Sequence, residues 1–315
     1  RLQGRALKDG SEEFWMSRVI DLEVNLPRSL RSPHIHEISH GRPGTPFAEP
    51  LPRPEGYGFD NYQHVFRQAP DRSAAANEDD GGMGRLVADM DQAGIAVGYL
   101  VGARNADIGP IKRQYGDRFI CFASLDPMDG MRAVREFERL VKEDGVGGLR
   151  VSSLYNCLPA SDRRYYPLYA KCVELDVPVR IYTAMNYAND RPYDLGHPRH
   201  IDNVAVDFPE LRIVAGLGGW PWVNEMVGLL RRHPNLYCDT AAHRPRYLAQ
   251  QGSGWEQFLQ FGNTLLQDKI MTGLSRYLFG TSFEELIEEY RNLPLKDSVV
   301  EKWLYGNAAR FFRIA

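Results

Sequence analysis

The chain has 315 residues, of which 43% are hydrophobic, 11% aromatic and 25% charged, and its formal net charge at pH 7 is −3. This length and composition exclude a disordered chain and are typical of a globular protein with one large core or two modest ones. Because charges of both signs are interspersed, there is no basic stripe for phosphates, and nucleic acid is not expected as a partner.

The cysteines and the first residues of the chain indicate its compartment. Four cysteines are widely spaced, without a Cys-x-x-Cys pair, which fits free thiols in a reducing compartment. No run of about 18 apolar residues occurs, and the opening segment RLQGRALKDGSEEFW is too polar for a signal peptide. We therefore expect a cytoplasmic protein without a membrane partner. Residues 1–17 are expected to be an N-terminal extension outside the fold.

Short apolar runs alternate with segments of helical periodicity along the rest of the chain. Eight runs are predicted to be strands, at residues 18–24, 94–101, 118–125, 146–152, 177–184, 211–217, 235–241 and 276–282. Most are apolar almost throughout, as strands buried on both faces are. The pattern predicts a single α/β domain over residues 18–315, folded as a (β/α)8 TIM barrel. A doubly wound open sheet is the alternative, but no G-x-G-x-x-G follows the first strand.

The first loop, at residues 26–81, is unusually long and rich in proline and glycine. A loop of this length in a compact domain is usually functional, so we expect a lid over the active site. A contact within a homo-oligomer is the alternative. The loop contains PHIHEISH, whose histidines are open to three interpretations: metal ligands, substrate contacts or surface residues. Of these, His36 is the expected substrate contact.

Several motifs resemble a known family over nearly the whole chain. They are VIDLEVN, GVGGLRV, FPELRIVAGLGGWPW, HPNLYCDTA and YGNAARFF. From Val19 onward the chain resembles the amidohydrolase superfamily, in its amidohydrolase-related branch, which includes aminocarboxymuconate-semialdehyde decarboxylase. The resemblance implies a TIM barrel with its active site at the C-terminal ends of the strands. It also implies an enzyme that acts on a small molecule.

The family's metal ligands are where this sequence departs from the pattern. The family usually has Asp-x-His-x-His on the first strand, and the last two positions here are Glu23 and Asn25. The histidines of the fifth and sixth strands are matched by Tyr182 and Gly216, and the aspartate of the eighth by Ser282. These residue types do not supply the ligands of a catalytic zinc site. We therefore predict no cofactor and no metal site, with a divalent metal held by Glu23 as the less favoured alternative.

The strand ends and loops still contain groups for binding and catalysis. Arg150 and Arg180 are expected to bind a substrate carboxylate, because a guanidinium holds a carboxylate bidentately. Alternatively, each arginine pairs with a structural acid, and a buried Glu23–Arg180 ion pair would fill the place of the metal. His243 follows the seventh strand, and its near-neutral pKa as a free side chain suits acid–base catalysis.

These considerations define the expected site and function. The expected catalytic residues are Glu23, Tyr182 and His243. The expected substrate-binding residues are Asn25, His36, Arg150, Arg180, Asn186, Trp220, Arg244 and Ser282. The predicted function is metal-independent hydrolysis of an ester, lactone or amide in a small carboxylated or aromatic molecule. A decarboxylase and a non-catalytic barrel that binds a small molecule are the alternatives.

Overall fold

Short parallel strands alternate with helices along the chain. The computed structural model describes residues 18–27, 30, 56–66 and 81–314. The strands are β1 (Val19–Asn25), β2 (Ile95–Val101), β3 (Phe119–Ile120), β4 (Ala123–Ser124), β5 (Leu149–Val151), β6 (Val179–Tyr182), β7 (Ile213–Gly216), β8 (Leu236–Asp239) and β9 (Ile270–Met271).

All of the paired strands are parallel, and they pair in chain order. β1 to β3 form one ladder and β4 to β9 form a second. Strands β3 and β4 are two pieces of the single strand predicted at 118–125, separated by Cys121 and Phe122. The backbone N–H of Leu22 on β1 donates to the carbonyl of Thr272, just after β9, at 2.9 Å. This bond joins the first strand to the last, and the predicted (β/α)8 TIM barrel is confirmed.

The helices surround the strands, and most of them bury one face. They are α1 (Asn61–Phe66), α2 (Gly82–Gln92), α3 (Asn105–Tyr115), α4 (Met131–Asp144), α5 (Ser153–Asn156), α6 (Tyr166–Glu174), α7 (Arg199–Asp207), α8 (Val223–Arg232), α9 (Pro245–Leu248), α10 (Glu256–Gly262), α11 (Arg276–Phe279), α12 (Phe283–Arg291), α13 (Asp297–Glu301) and α14 (Asn307–Phe312). In α4 the apolar residues recur at helical spacing, so Ala133, Val134, Phe137 and Leu140 face the core. The helix ends at Gly145, which has a left-handed φ of 72°.

The eighth predicted strand, at 276–282, is wrong. The last strand is Ile270–Met271, both of whose residues are buried, whereas the apolar run at Arg276–Phe279 forms helix α11 with no buried residue. Ser275, with a φ of 51°, turns the chain between the two elements. Because the strand ends earlier than predicted, Ser275 and not Ser282 follows it.

The long first loop is described only in part. Gly58–Asp60 forms a 3-10 turn and α1 follows it directly, while most of residues 26–81, the extension at 1–17 and His36 lie outside the described residues. Phe59 in this turn packs with Leu154 and Ala188, which lie in the loops after β5 and β6. No helix in the described ranges is long and apolar enough to cross a membrane.

Candidate active site

Arg180 lies inside the barrel between carboxylates from two other strands. Its Nη2 is 2.9 Å from Glu23 Oε2 on β1, and its Nε is 2.7 Å from Asp239 Oδ2 on β8. The side chains of Arg180 and Asp239 are 9% and 0% exposed, so the charges are held largely out of water. The anticipated Glu23–Arg180 ion pair is therefore present, and Asp239 adds a second carboxylate. We call Glu23, Arg180 and Asp239 the central triad.

Burial and neighbouring charges shift the pKa values of Glu23 and Arg180 in the central triad. Burial raises the pKa of Glu23, and the Arg180 cation counteracts this effect. Burial also opposes the charge of Arg180, but the two carboxylates outweigh it and raise the guanidinium pKa well above its ordinary value. Asp239 Oδ1 accepts the backbone N–H groups of Leu217 and Ala241 at 3.0 and 3.1 Å, which fixes its position. The raised pKa of Glu23 makes this carboxyl a candidate proton donor.

Gly216 leaves room for the guanidinium of Arg180. It is buried at the end of β7 and lies opposite Tyr182 in the register of β6 and β7. A Cβ atom built on Gly216 would lie 3.4 Å from the Cζ, Nε and Nη2 atoms of Arg180. A histidine at this position, as in the family pattern, would compete with the guanidinium for space. The position of the Arg180 guanidinium therefore depends on the absence of a side chain at Gly216.

Asp21 joins the first strand to the loop that follows the last one. Its Oδ1 accepts the backbone N–H of Glu23 at 2.9 Å and that of Leu274 at 2.7 Å. Its side chain is fully buried, and Oδ2 has no hydrogen-bond partner among the described residues. Burial raises the pKa of Asp21 to about 7, against the two hydrogen bonds, which lower it. Asp21 thus fixes the backbone next to Glu23 and can be protonated near neutral pH.

Arg150 lies beside the central triad, and none of the described acids forms an ion pair with it. It is opposite Arg180 in the register of β5 and β6 and is half-buried. Within the described part of the chain it forms no ion pair or hydrogen bond, and its Cζ lies 5.4 Å from the ring centroid of Tyr155. It is close enough to Glu23 to lower the pKa of that carboxyl. Arg150 is therefore available to bind an anion.

Two polar residues of the β6 end are engaged with their own loop. The Tyr182 hydroxyl donates to the carbonyl of Met185 at 2.8 Å, and burial raises the pKa of Tyr182. The Asn186 amide donates to the carbonyl of Pro192 at 2.9 Å, while its buried Oδ1 has no partner among the described residues. Asn186 Oδ1 is therefore open to a donor, whereas the proton of the Tyr182 hydroxyl is already used.

His243 lies beside the centre, among aromatic rings. Its Nε2 is 3.1 Å from the carbonyl oxygen of Leu217, so the proton lies on Nε2 and donates to that oxygen. Its ring centroid is 6.2 Å from that of Trp220 and 4.7 Å from that of Trp255. Burial lowers its pKa to about 4, so the ring is neutral at physiological pH. His243 also lines a cavity of about 450 Å³ together with Trp255 and Arg244.

Two predicted substrate contacts have structural partners. Arg244 forms ion pairs with Glu285 and, at 2.7 Å, with Glu289 on α12. Ser282 caps the same helix, where its Oγ accepts the N–H of Glu285 at 3.1 Å. The role of Ser282 rested on an eighth strand at 276–282, and that placement is wrong. Ser275, which follows the actual strand, accepts the N–H of Ala242 at 2.7 Å.

Sequence reasoning left out three residues that build the site. The expected site did not include Asp239, Asp21 or Tyr99, although each is on a strand near the centre. The guanidinium carbon of Arg180 lies 5.0 Å from the ring centroid of Tyr99. Strand alternation could have found Asp21, because it is two positions before Glu23 and shares its face. Asn25 occupies the next position on that face and is half-buried at the end of β1.

Solved structures share this fold over nearly their whole length. An uncharacterised TIM-barrel protein from Bordetella bronchiseptica is 25% identical, with a TM-score of 0.70 over 94% of this chain and 98% of that one. A 5-carboxyvanillate decarboxylase from Novosphingobium aromaticivorans is 16% identical, with a TM-score of 0.65 over 98% and 100%. The corresponding enzyme from Sphingomonas paucimobilis is 18% identical, with a TM-score of 0.63 over 95% and 99%. No curated protein matches the chain by sequence.

The prediction that no cofactor is used is contradicted by these structures. The Novosphingobium decarboxylase contains bound manganese together with a substituted nitrobenzoic acid. In the described part of this chain, however, no group of three or more His, Cys, Asp or Glu residues is arranged to hold a metal ion. Glu23 and Asp239 both bind the Arg180 cation instead. The described donors at the centre therefore do not fit a divalent ion.

The family assignment rests on a sequence match that is independent of these structures. The model of the amidohydrolase family, described as "Amidohydrolase", matches residues 34–314. The match covers most of the chain and includes every strand from β2 to β9. The resemblance to this family implied a TIM barrel, and this is the fold described above. This chain belongs to the amidohydrolase family.

Proposed function

We propose that the protein is a carboxy-lyase that releases CO2 from a small carboxylated aromatic molecule. The observation on which the proposal depends is Arg150, a half-buried cation next to the central triad that has no acid partner among the described residues. Arg180 already pairs with two carboxylates, so Arg150 is the arginine open to a substrate. A guanidinium binds a carboxylate through two parallel hydrogen bonds, which fixes both its position and its orientation.

Aromatic side chains around Arg150 support a planar substrate. Phe59 is buried with Leu154 and Ala188, and Tyr155, Tyr182 and Tyr187 pack against this cluster. Rings of this kind favour offset or edge-to-face contact with another ring. The cluster and Arg150 therefore offer an apolar wall beside a cation, which suits a ring that bears a carboxylate.

The structural neighbours support carbon–carbon cleavage over hydrolysis. Several of those that share the fold are decarboxylases of 5-carboxyvanillate or 2,6-dihydroxybenzoate, both of which are carboxylated aromatic compounds. Hydrolysis of an ester, lactone or amide, our first prediction, has no counterpart among these decarboxylases. We therefore place decarboxylation first.

The reaction needs one proton for each CO2 released. A proton adds to the ring carbon that bears the carboxylate, the carbon–carboxylate bond breaks, its electron pair returns to the ring, and CO2 leaves. Glu23 is the group we assign to deliver this proton, because burial raises its pKa. After transfer, Arg180 stabilises the Glu23 carboxylate at 2.9 Å, and solvent restores the proton.

The test measures CO2 release from a panel of hydroxylated benzoates, with manganese supplied in every assay because the decarboxylase neighbour contains it. For an active substrate, Arg150→Met should lower kcat/KM roughly 10- to 100-fold, the value of one charge-assisted hydrogen-bonded pair. Arg132→Met is the matched control, because Arg132 is 80% exposed and pairs only with Asp129 among the described residues. Hydrolysis of ring esters or lactones without CO2 release would instead support a hydrolase. Binding without turnover would support the non-catalytic barrel.

A further inference from the structure

Four side chains form a row of contacts. The row begins at β5 in the barrel, passes through the long first loop and ends in the loop after β6. The Cζ of Arg150 lies 5.4 Å from the Tyr155 ring centroid. Tyr155 stacks on Phe59, with centroids 5.8 Å apart and an angle of 12° between the rings. The Cζ of Arg191 lies 4.4 Å from the ring centroid of Phe59. We call these four residues the stacked row.

The far end of the stacked row is anchored in the protein interior. Arg191 and Asp190 form a bidentate ion pair at 2.7 and 2.9 Å, with side chains that are 1% and 3% exposed. Arg191 also donates to the carbonyl of Leu154, the residue next to Tyr155. A buried guanidinium with three such bonds has little freedom to move. The position of the Phe59 ring is therefore set from this side by a rigid partner.

The segment that contains Phe59 is held in place by hydrogen bonds to the loop after β6. The backbone N–H of Gly58 donates to Asn189 Oδ1 at 2.7 Å. The side-chain amide of Asn61 donates to the carbonyl of Tyr187 at 2.5 Å. Phe59 lies between these two contacts and is only 5% exposed. The first loop thus inserts one aromatic ring between the loops after β5 and β6.

Arg150 contrasts with Arg191 because no acid holds it among the described residues. An arginine side chain loses up to about 2 kcal/mol of rotamer entropy when it is fixed, and binding is stronger when that loss has occurred beforehand. Stacking on Tyr155 limits the guanidinium to one region of space. Tyr155 in turn stacks on Phe59, which restricts the rotamers open to the Tyr155 ring. The order of the anion-binding group therefore depends on a residue of the first loop.

We infer that Phe59 is a positioning residue for the substrate carboxylate, acting through Tyr155 on Arg150. This inference rests on the proposed function, in which Arg150 binds that carboxylate. It also gives the first loop a specific task. By docking Phe59 into the stacked row, the loop orders the cation that selects acids over neutral molecules of the same shape.

The test compares the binding of benzoate and benzamide, which differ in charge but little in shape, by calorimetry. Phe59→Ala should weaken benzoate binding roughly tenfold, the value of a partly desolvated cation–aromatic contact, and should change benzamide binding less than twofold. Tyr62→Ala is the matched control, since Tyr62 lies in the same segment and contacts Tyr187, outside the stacked row. It should leave the ratio of the two affinities unchanged.

A double-mutant cycle separates positioning from a general structural role. In the Arg150→Met background, Phe59→Ala should have no further effect on benzoate binding, because the group that it positions is already gone. Additive losses, an equal loss for benzamide, or no selectivity for benzoate in the unmutated protein would each overturn the inference. Since the readout is binding, it stays decisive even if no CO2 release is found. Conversely, the protein could be an active decarboxylase whose preference for benzoate over benzamide is unchanged by Phe59→Ala. That result would refute the inference and leave the proposed function standing.

Discussion

Removal of the Arg180 guanidinium should destabilise the fold strongly. Arg180→Leu leaves Glu23 and Asp239 facing each other in the barrel, with side chains that are 18% and 0% exposed. Breaking a buried ion pair by removing one partner costs about 3–5 kcal/mol, mostly because the remaining charge is left without compensation. For a chain of 315 residues, that loss lowers Tm by roughly 5–8 °C.

The loss should also depend on pH, with a sign that follows from the two carboxylates. Without Arg180, burial and mutual repulsion raise their pKa values in the folded state above those in the unfolded state. Such groups contribute stability at low pH, where both states are protonated, and that stability is lost as the pH rises through the folded-state pKa. The difference in unfolding free energy between variant and parent should therefore be larger at pH 8 than at pH 5.5. Urea unfolding followed by circular dichroism at both values measures it.

The triple variant Glu23→Gln/Arg180→Leu/Asp239→Asn is the control, because it removes the charges together. Replacing a buried ionic cluster with neutral groups is often neutral or stabilising, so this variant should recover most of the lost stability and lose the pH dependence. An Arg180→Leu variant that loses less than about 1 kcal/mol, or whose deficit is the same at both pH values, would refute this account of the central triad.

Three further predictions concern groups near the central triad. Asp21→Asn should abolish a fall in stability of up to about 1.4 kcal/mol per pH unit between roughly pH 4 and 7, measured by urea unfolding; a parent protein without that fall would contradict the assignment. Arg244→Met should lower Tm by a few degrees, because the ion pair between Arg244 and Glu289 is lost. The affinity for benzoate, measured by calorimetry, should be unchanged. His243 should stay neutral from pH 6 to 9, so ring NMR signals that titrate in this range would disprove its half-buried, Nε2-protonated state.

Much of the fold could be predicted because the barrel repeats one local pattern. Buried parallel strands are apolar throughout, and seven of the eight predicted runs overlap the observed strands. The eighth failed because Ile270–Met271 is too short to stand out, while Arg276–Phe279 has strand-like composition but lies half-exposed in a helix. Composition alone does not distinguish a two-residue buried strand from a short surface helix.

The centre of the site was predicted where strand alternation was informative. It placed Arg180 on the inner face with Glu23 as its partner, and the ion pair at 2.9 Å agrees. Asp239 is 59 positions from Arg180 in sequence, and the two meet because only β7 separates their strands in the sheet. The stacked row was out of reach for the same reason, since Phe59 and Arg191 come from loops whose approach no local pattern encodes.

Charge balance links substrate binding to the protonation of Glu23 in the proposed reaction. The two carboxylates of the central triad exceed its one guanidinium by one negative charge, and Arg150 beside them brings the local sum to zero. A substrate carboxylate bound at Arg150 adds a new negative charge close to Glu23. It also neutralises the Arg150 cation, which lowers the pKa of Glu23 when no substrate is bound. Both effects raise the pKa of Glu23, so binding favours the protonated acid that the ring carbon requires. Loss of CO2 removes that charge and lets Arg180 again favour the ionised form.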